Sequence, residues 1–452
     1  MSIFLRKRAI KEHIRNGFEG IYTSYFLCVT RVAPSISQWQ VSLSKEEKQS
    51  IGGAASEDEI KAALLLLEAF KALGPDGLHV VFFHRFWLIV GSSVVNVVKK
   101  VFMERKVPEY LNKTHIALIP KIQGPETIAN YRPISLCNTV YKIITKIIVA
   151  RLRPHLDKLI SPFQTTFVLG RKGVDNAIIV QEVVHSLSKK KGKVGYVALK
   201  IDLEKAYDKL EWSFIRELII RENLLADLID IIMSCISTIS TSILFNGEAL
   251  ELIYPSRGIR QGDPLSPYLF ILCMEYLCQL IVEKCNAKLW QPIKVSGSGR
   301  LSHICFLRMI WFCLQGLMAP IALPLEMFWM SFVAYLGKQL VSLKSRVHFS
   351  SNVDRDTRES LSDILGFTST PSLGKYLGIP IRHLRSSSHE YNFVLDRVKQ
   401  KLVGWKANML SSAGCAILIQ VSSAAIPSYI MQCAKLLGRI LDGIDWVNRN
   451  FL

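Results

Sequence analysis

Asp202 is a candidate for chemistry because of where its carboxylate falls in the local pattern. It follows Tyr196 to Ile201, a mostly apolar run that predicts a buried strand, and so it stands at the end of that strand. A carboxylate at the end of a buried strand is a common position for a catalytic or ligand group. It is also a common N-cap for the helix that follows. The residue types alone leave both interpretations open.

A second candidate is the stretch from Arg257 to Pro267, which reads Arg-Gly-Ile-Arg-Gln-Gly-Asp-Pro-Leu-Ser-Pro. Gly262 permits a close approach of the backbone to another group, and Gln261 has both a hydrogen-bond donor and an acceptor. A turn that only starts the helix predicted from Pro267 to Cys285 is the alternative. The stretch is longer than such a turn requires, which favours a binding loop.

The elements that must position these residues follow from the spacing of apolar side chains. Alternation and β-branched residues predict strands over His115 to Pro120 and Ile239 to Phe245. Asn246-Gly247 is a strong hairpin signal between the second strand and a strand predicted from Leu250 to Tyr254. Helical patterns cover Ser56 to Phe70, Val80 to Phe102, Val140 to Leu152, Leu210 to Ile232, and most of Glu390 to Leu452.

Length, charge and cysteine content narrow the class of protein. The 452 residues are half hydrophobic, which is enough for a large core and for about three domains. The net charge of +19 suits an anionic partner, with nucleic acid first and a merely soluble basic surface as the alternative. Ten scattered cysteines without a zinc-binding spacing, and an N-terminus without a signal peptide, predict a reduced protein that is not secreted.

The two candidate stretches resemble the central motifs of reverse transcriptases, in the version found in plant LINE-type (non-LTR) retrotransposons. The first motif is Lys-Ile-Asp-Leu-Glu-Lys-Ala-Tyr-Asp, residues 200–208, and the second is the stretch from Arg257. Other segments resemble family motifs in the same order, and the resemblance extends from about Glu59 to the C-terminus. These segments are Lys71 to Gly77, Ile119 to Lys121, Asn130 to Leu136, Gln164 to Asn176, Tyr376 to Gly378, and Trp405 to Tyr429.

The resemblance implies a role for individual residues. Asp202 matches the aspartate that bridges two Mg²⁺ ions during nucleotide addition. Tyr207 matches an aromatic residue that lies under the sugar of the incoming nucleotide and blocks a 2′-hydroxyl, with a core aromatic as the alternative. Asp208 is interpreted as structural.

Further positions are implied in the same way. Lys121 and Arg132 match cations that hold the incoming triphosphate, although each alone would be an ordinary surface charge. Gln261 and Gly262 match residues that contact the nucleotide or the template. The primer grip corresponds to Tyr376, Leu377 and Gly378.

The third catalytic motif of the family, Phe-Ala-Asp-Asp, is missing from the place where it is expected. The chain reads Phe-Leu-Arg-Met-Ile-Trp-Phe-Cys-Leu from Phe306, and no acidic residue occurs between Glu283 and Glu326. Met309 and Ile310 therefore stand where two metal-binding aspartates belong. Neither supplies the hard oxygen ligand that Mg²⁺ requires, so we expect poor metal binding and a loss of catalysis.

A shift of one base in the coding sequence explains the missing motif. Methionine is encoded only by ATG and isoleucine begins with AT, so the junction of Met309 and Ile310 contains GAT, an aspartate codon. With permitted bases on either side, the shifted frame reads Phe-Ala-Asp-Asp-Leu-Val-Leu-Phe-Ala. The chain resembles the family again at Lys344-Ser345 and Phe349-Ser350. The apolar run over 309–336 is therefore interpreted as out-of-frame sequence, although its length would also suit a membrane-spanning helix interrupted by two prolines.

The resemblance predicts an α+β right-hand polymerase with fingers, palm and thumb, and mostly helical terminal parts. The expected segments are a helical extension (1–70), fingers (71–195), a palm (196–350, with 304–341 disrupted), and a primer-grip hairpin with a helical thumb (351–452). We expect RNA-templated DNA synthesis by ancestry, with an RNA template, a DNA primer, deoxynucleoside triphosphates and Mg²⁺, and no small-molecule cofactor.

The present chain is expected to be an inactive or gene-model-corrupted copy, located in the nucleus or the cytoplasm. No endonuclease, zinc-knuckle or RNase H motif accompanies it, so it is not expected to be a complete mobile element. Two other functions stay open. One is a nucleic-acid-binding protein without catalysis, and the other, less favoured, is a membrane protein that uses 309–336.

Overall fold

The computed structural model describes residues 2–24, 43–192, 194–288, 291–294, 301–302, 304–307, 309–315, 345–381, 391–402 and 408–452, and only the backbone of 2–6 and 291–315. These residues form two compact units. Unit 1 contains the described residues up to Gly170 and those from Leu203 to Glu283. Unit 2 contains the described residues from Arg171 to Asp202, and those beyond Lys284. The segment boundaries given by the family resemblance stay a prediction.

The described residues form helices and strands in both units, which makes the protein mixed α+β. The strands are β1 (Lys113–Pro120), β2 (Tyr131–Cys137), β3 (Tyr196–Asp202), β4 (Ser240–Phe245), β5 (Glu248–Ala249), β6 (Gln291–Lys294), β7 (Leu301–Ser302), β8 (Ile304–Leu307), β9 (Met309–Gln315), β10 (Arg346–Phe349), β11 (Thr368–Ser369), β12 (Lys375–Tyr376) and β13 (Ile379–Pro380).

The helices of unit 1 are Ser2–Tyr22, Lys45–Gly52, Glu57–Leu65, Val80–Arg85, Trp87–Glu104, Glu109–Asn112, Thr139–Leu152, Leu156–Leu159, Trp212–Arg221, Ala226–Ser237 and Ser266–Asn286, the last running three residues past Glu283. Those of unit 2 are Gly173–Lys189, Arg355–Leu365, Asn392–Lys401, Ser412–Leu418, Ala425–Met431 and Gly438–Phe451. Short 3₁₀ turns cover Ile128–Asn130 and Arg153–His155, and a π-helical turn covers Ile419–Ser423.

Unit 1 contains a four-stranded sheet with the order β2-β1-β4-β5. β1 is antiparallel to β2, with Ile119 opposite Arg132, and parallel to β4. The β4–β5 hairpin turns at Asn246 and Gly247, which both have positive φ (50° and 84°). This is the backbone conformation that the Asn-Gly pair favours, and the hairpin prediction is confirmed.

Unit 2 contains a larger sheet with the order β11-β10-β3-β9-β6-β7, and β8 also pairs with β9. β3 lies between two antiparallel neighbours, with Lys200 opposite Arg346 on one side and Trp311 on the other. A central strand is paired at both edges, and its side chains project alternately from the two faces of the sheet, where other elements can cover them. All residues of β3 before Asp202 are buried accordingly.

The core of unit 2 packs around the helix Gly173–Lys189, β3 and the C-terminal helices. Its largest fully buried side chains are Tyr376 and Tyr391, each at most 2% exposed. Val394 and Val398 of Asn392–Lys401 and Ile440 and Ile444 of Gly438–Phe451 join the same cluster, with the helical spacing of an apolar face.

Some predicted elements differ from those observed. The helix predicted over Val80 to Phe102 is interrupted at Phe86, which leaves helical geometry (φ −105°, ψ 22°) although no glycine or proline marks the break. The helix predicted over Leu210 to Ile232 is two helices, separated at Asn223, whose φ of 55° ends the first one. Asparagine tolerates this left-handed conformation better than most residues.

Two elements are shorter than the sequence predicts. The helix predicted over Ser56 to Phe70 begins as expected, because the Ser56 hydroxyl accepts a hydrogen bond from the Glu59 N–H at 3.1 Å, but it ends at Leu65. The strand predicted over Leu250 to Tyr254 is reduced to a single bridge between Ile253 and Thr241, since the regular pairing with β4 stops at Ala249.

Candidate functional site

The loop from Arg257 to Gly262 is held on two sides by main-chain hydrogen bonds within unit 1. On one side Gly258 N–H donates to the Leu210 carbonyl and Ile259 N–H donates to the Tyr207 carbonyl, both at 2.7 Å. On the other side the Ser135 N–H of β2 donates to the Gln261 carbonyl at 2.7 Å. The loop therefore joins the turn after β3 to the β1–β2 hairpin.

Two glycines allow this close packing. Gly258 has a φ of 90°, and a Cβ there would lie 2.6 Å from the Asp208 carbonyl oxygen. Gly262 has a φ of 113°, and a Cβ there would lie 2.9 Å from the Ser135 carbonyl oxygen. Both positions combine a left-handed backbone with contact distances that no other residue can accept. The close backbone approach predicted at Gly262 is made to β2 of the same chain.

A buried polar network lies beneath the loop. The Arg260 guanidinium lies 3.9 Å from the centre of the Tyr141 ring, forms an ion pair with Asp263 at 3.3 Å, and donates to the Thr114 hydroxyl at 2.9 Å. The Tyr141 hydroxyl donates to Asp263 at 2.6 Å. Charged groups with so little exposure must be paired to be tolerated. Sequence reasoning missed this network, although two opposite charges flanking Gln261-Gly262 were a signal.

Gln261 is oriented by Asp208. Its amide nitrogen lies 3.1 and 3.0 Å from the two carboxylate oxygens of Asp208, which is 3% exposed. Burial raises the pKa of Asp208 to about 6, while the hydrogen bond from Gln261 and nearby lysines act in the opposite direction. The interpretation of Asp208 as a structural residue agrees with this burial.

The other predicted nucleotide residues also lie in unit 1. Tyr207 is half-buried, and its ring stacks on that of Phe270 with centroids 4.8 Å apart. Lys121 follows the end of β1 and is exposed, with its ammonium donating to the Ala129 carbonyl at 2.8 Å. Arg132 is exposed on β2, three residues before Ser135. The sequence-predicted residues Lys121, Arg132, Tyr207, Gln261 and Gly262 thus belong to the hairpin, the turn and the loop of one unit.

Asp202 lies in unit 2 as the last residue of β3. It is half-buried, and its backbone N–H donates to the Ser345 hydroxyl at 3.2 Å. In the antiparallel pairing of β3 with β9, Asp202 is opposite Met309 and Ile201 is opposite Ile310. Met309 and Ile310, the positions at which the sequence analysis expects aspartates, therefore start the strand that pairs with β3.

The predicted primer-grip hairpin packs on the same strand of unit 2. Lys200, two residues before Asp202 and so on the same face of β3, donates from its ammonium to the carbonyls of Leu373 (2.7 Å) and Lys375 (3.1 Å). Burial, and then the charge of Arg346, lower the pKa of Lys200, whereas Asp202 acts to raise it. Sequence reasoning did not identify Lys200 as a positioning residue.

The hairpin itself turns at Leu377 and Gly378, which have φ values of 51° and 83°. Tyr376 is 1% exposed, so it anchors the hairpin in the core of unit 2. The Tyr429 hydroxyl donates to the Leu377 carbonyl at 2.9 Å, which links the hairpin to the helix Ala425–Met431. Of the predicted primer-grip residues, Tyr376 is thus a core side chain.

The residue types at positions 202, 309 and 310 provide one carboxylate, which is fewer than a pair of Mg²⁺ ions requires. Reverse transcriptases use Mg²⁺ held by carboxylates, and Mg²⁺ prefers oxygen ligands. Asp202 supplies a carboxylate, but methionine has a thioether and isoleucine has only an alkyl group. Within the part of the chain that the structure describes, no three His, Cys, Asp or Glu side chains are close enough to share a metal ion.

The apolar run that sequence analysis weighed as a membrane span is described only in part. Residues 309–315 form strand β9, and 316–344 lie outside the described residues, as does Trp405 of the predicted thumb region. Among the described residues, the helical stretch Ser412–Met431 is long and apolar enough to cross a membrane. Mostly buried core helices pass the same test of length and composition, but only 22% of the tested window of this stretch is buried, and its buried residues include Cys415 and Ile430.

Comparison with known proteins identifies the ancestry of the region that contains the candidate site. Residues 119–307 match the family of reverse transcriptases (RNA-dependent DNA polymerases). The matched region includes Lys121, Arg132, Asp202, Tyr207 and the loop with Gln261, and it ends two residues before Met309.

Two relatives of the chain are proteins of transposable elements. Over 239 residues the chain is 29% identical to the transposon TX1 uncharacterized 149 kDa protein of Xenopus laevis, covering 53% of this chain and 18% of that protein. Over 293 residues it is 24% identical to the retrovirus-related Pol polyprotein of the type-2 retrotransposable element R2DM of Drosophila melanogaster, covering 63% of this chain and 27% of the polyprotein.

A third relative is a plant protein. An uncharacterized mitochondrial protein of Arabidopsis thaliana is 48% identical over 64 residues, which cover 14% of this chain and 52% of that protein. The chain thus spans about a fifth to about a half of the length of these three relatives. Residues 119–307 are a reverse transcriptase domain by ancestry, and the homologues of that domain come from non-LTR retrotransposons such as R2 and TX1.

Proposed function

We propose that this protein is a disabled reverse transcriptase, which binds a template–primer and a nucleotide but does not extend the primer. The observation that carries the proposal is the pairing of Asp202 with Met309 in adjacent strands. Nucleotidyl transfer needs carboxylates on both strands to hold two metal ions. A single aspartate opposite a thioether leaves the attacking hydroxyl and the leaving phosphate without that support.

The proposal includes the origin of the defect. The chain is a copy from a plant LINE-type element in which a one-base shift replaced Ala-Asp-Asp, and the frame returned by about Lys344. The shifted reading of the Met309–Ile310 junction as an aspartate codon supports this origin, as does the 48% identity to a plant protein over 64 residues. The chain keeps the fingers, palm and thumb of a right-hand polymerase, and it resides inside the cell, in the nucleus or the cytoplasm.

Retained nucleic-acid binding is the part of the function that the surface supports. The chain carries 56 lysines and arginines against 37 aspartates and glutamates, and the side chains of Lys121 and Arg132 are exposed. Such contacts to phosphates release counterions, so binding weakens as salt rises. We therefore expect tight, salt-dependent binding to an RNA template annealed to a DNA primer.

Primer extension tests the proposal. The full chain and the variant Asp202→Ala are incubated with an RNA template, a DNA primer, deoxynucleoside triphosphates and Mg²⁺. Binding to the same template–primer is measured in parallel by fluorescence anisotropy at several salt concentrations. The surface variant Asp227→Ala serves as the matched control, because the Asp227 side chain is 46% exposed in an ion pair with Arg105.

The expected result is that all three proteins bind the template–primer with the same salt dependence and none of them extends the primer. Extension by the chain and by Asp227→Ala, but not by Asp202→Ala, would show that other groups hold the metal ions and would overturn the claim of inactivity. Absence of binding by all three would overturn the claim that nucleic-acid recognition survives.

A further inference from the structure

The contact between Gln261 and Asp208 determines which end of the Gln261 carboxamide faces a ligand. The Gln261 amide nitrogen contacts both oxygens of a carboxylate that is almost fully buried. An ionised carboxylate only accepts hydrogen bonds, so it must face the NH₂ group and not the C=O group of the amide. The two ends of the carboxamide are thereby distinguished by chemistry.

We propose that Asp208 is a positioning residue that fixes the direction of the Gln261 carboxamide, so that Gln261 offers its amide oxygen, an acceptor, to a hydrogen-bond donor of a bound nucleotide. The inference rests on the proposed function, because it assigns a ligand to the loop of that same site. It gives Asp208 a role beyond packing.

The main chain and the carboxamide of Gln261 are held by separate contacts. The main-chain carbonyl of Gln261 accepts a hydrogen bond from the Ser135 N–H at 2.7 Å, and the neighbouring Gly262 packs against the Ser135 carbonyl. The backbone on both sides of the side chain is therefore fixed. The Gln261 side chain itself is half-buried, so one edge of the amide is directed to Asp208 while the residue keeps access to solvent. Because an ionised Asp208 only accepts hydrogen bonds, the edge that faces it is the NH₂ group.

The direction of the amide depends on the ionisation of Asp208. Once protonated, the carboxyl group has one donor and one acceptor oxygen, and it can pair with either end of the amide. Burial raises the pKa of Asp208 to about 6, so the fixed direction holds above about pH 6 and is lost below it. The charged and titratable groups that face Asp208 or line the small cavity beside it are Lys121, Lys205, Lys209, Tyr22, Arg257 and Arg260.

Magnetic resonance of the Gln261 side chain tests the proposal without any nucleic acid. The full chain is labelled on glutamine nitrogen, and the NH₂ resonances of Gln261 are assigned by their loss in Gln261→Leu. We expect these resonances to titrate with a midpoint near pH 6 in the unmodified chain. We expect them not to titrate in Asp208→Asn, while the exposed-site control Asp227→Asn retains the transition.

Nucleotide binding supplies the second measurement. With template–primer bound, the affinity for a deoxynucleoside triphosphate should fall roughly five-fold as pH drops through about 6, the size of one lost hydrogen bond. Asp208→Asn should show the weaker affinity at every pH. Gln261 resonances that do not titrate, or that titrate equally in Asp208→Asn, would overturn the assignment of Asp208.

The resonance measurement also separates the two proposals. If the chain does not bind template–primer, the proposed function fails, but the titration of Gln261 still reports on the Asp208 pair. If the resonances of Asp208→Asn indicate an unfolded protein, the titration of the unmodified chain remains decisive. Gln261 resonances that show no titration in that chain would then contradict the proposal.

Discussion

The loop of unit 1 and the β3–β9 pair of unit 2 differ in what holds them together. Around the loop, side chains contact one another directly. Arg260 pairs with Asp263 and lies over the Tyr141 ring, and Gln261 donates a hydrogen bond to Asp208. In the β3–β9 pair, main-chain hydrogen bonds join the two strands, and Met309 lies opposite Asp202. A side-chain network needs particular residues, whereas a strand pair needs only extended backbone and suitable side-chain shapes.

This difference means that a strand pair tolerates changes of its side chains better than a buried side-chain network does. Met-Ile-Trp-Phe-Cys-Leu-Gln is rich in residues that favour strands, so β9 can pair with β3 whatever frame encodes it. The pairing does not require a carboxylate at position 309 or 310. Side chains of the strand pair can therefore change without loss of its register, while the same number of changes beneath the loop would remove buried partners.

The largest expected effect comes from breaking the network beneath the loop. Arg260→Ala leaves the buried Asp263 carboxylate without its ion pair, and we expect a loss of about 3–5 kcal/mol in the free energy of unfolding. Urea denaturation measures the loss. The control is Arg216→Ala, whose partner Asp230 is 3.9 Å away and whose side chain is 54% exposed, and it should change stability by about 0–1 kcal/mol. Equal losses in both variants would contradict the importance of the network.

A second buried carboxylate in the same unit should give a pH-dependent effect. Glu275 accepts hydrogen bonds from the Ser161 hydroxyl (3.0 Å) and the Gln164 amide (3.1 Å), and burial raises its pKa to about 7. The folded state therefore holds this proton more tightly than the unfolded state, and stability falls as pH rises from about 4.5 to about 7. Glu275→Gln removes the ionisation while an amide oxygen can still accept a hydrogen bond.

The variant Glu275→Gln should accordingly be more stable than the unmodified chain above about pH 7, by up to about 3 kcal/mol from the size of the shift. The difference should vanish toward about pH 4.5. Thermal or urea unfolding across this pH range measures it. Glu251→Gln, at a side chain that is 85% exposed, is the control and should leave the pH dependence unchanged. A destabilised Glu275→Gln variant at high pH would contradict the expectation.

The smallest effect is expected in the strand pair. Met309→Asp places a second carboxylate directly opposite Asp202, and like charges in this position cost about 0.2–1 kcal/mol. Mn²⁺ or Mg²⁺ should restore the lost stability by binding both carboxylates. Thermal unfolding with and without each ion measures the change. Met103→Asp, at a residue that is 79% exposed on a helix of unit 1, should show no such dependence on the ion.

An equal response to metal in Met309→Asp and Met103→Asp would show that the register opposite Asp202 creates no site. A response confined to Met309→Asp would show that the geometry survives where the ligands are lost. The loop would then depend on its side-chain contacts, and the strand pair on its backbone.

Local patterns in the sequence were sufficient for several features. The Asn246-Gly247 hairpin, the start of a helix at Ser56 and strand β3 ending at Asp202 all occur as predicted, because each depends on residues close together in the chain. Helix ends were less predictable. Phe86 and Leu65 end helices without a breaking residue, so packing with distant elements sets those boundaries.

The sequence by itself determined the reverse transcriptase ancestry of residues 119–307 and the absence of a carboxylate at positions 309 and 310, because motifs and residue identities are local and their order along the chain is visible. Only the tertiary structure decided that Asp208 holds Gln261 across 53 residues and that Lys200 holds the backbone at Leu373 across 173. Such contacts depend on how separate elements pack, and no local periodicity encodes them. The same packing decided that Arg260 is a buried, paired charge rather than a surface one.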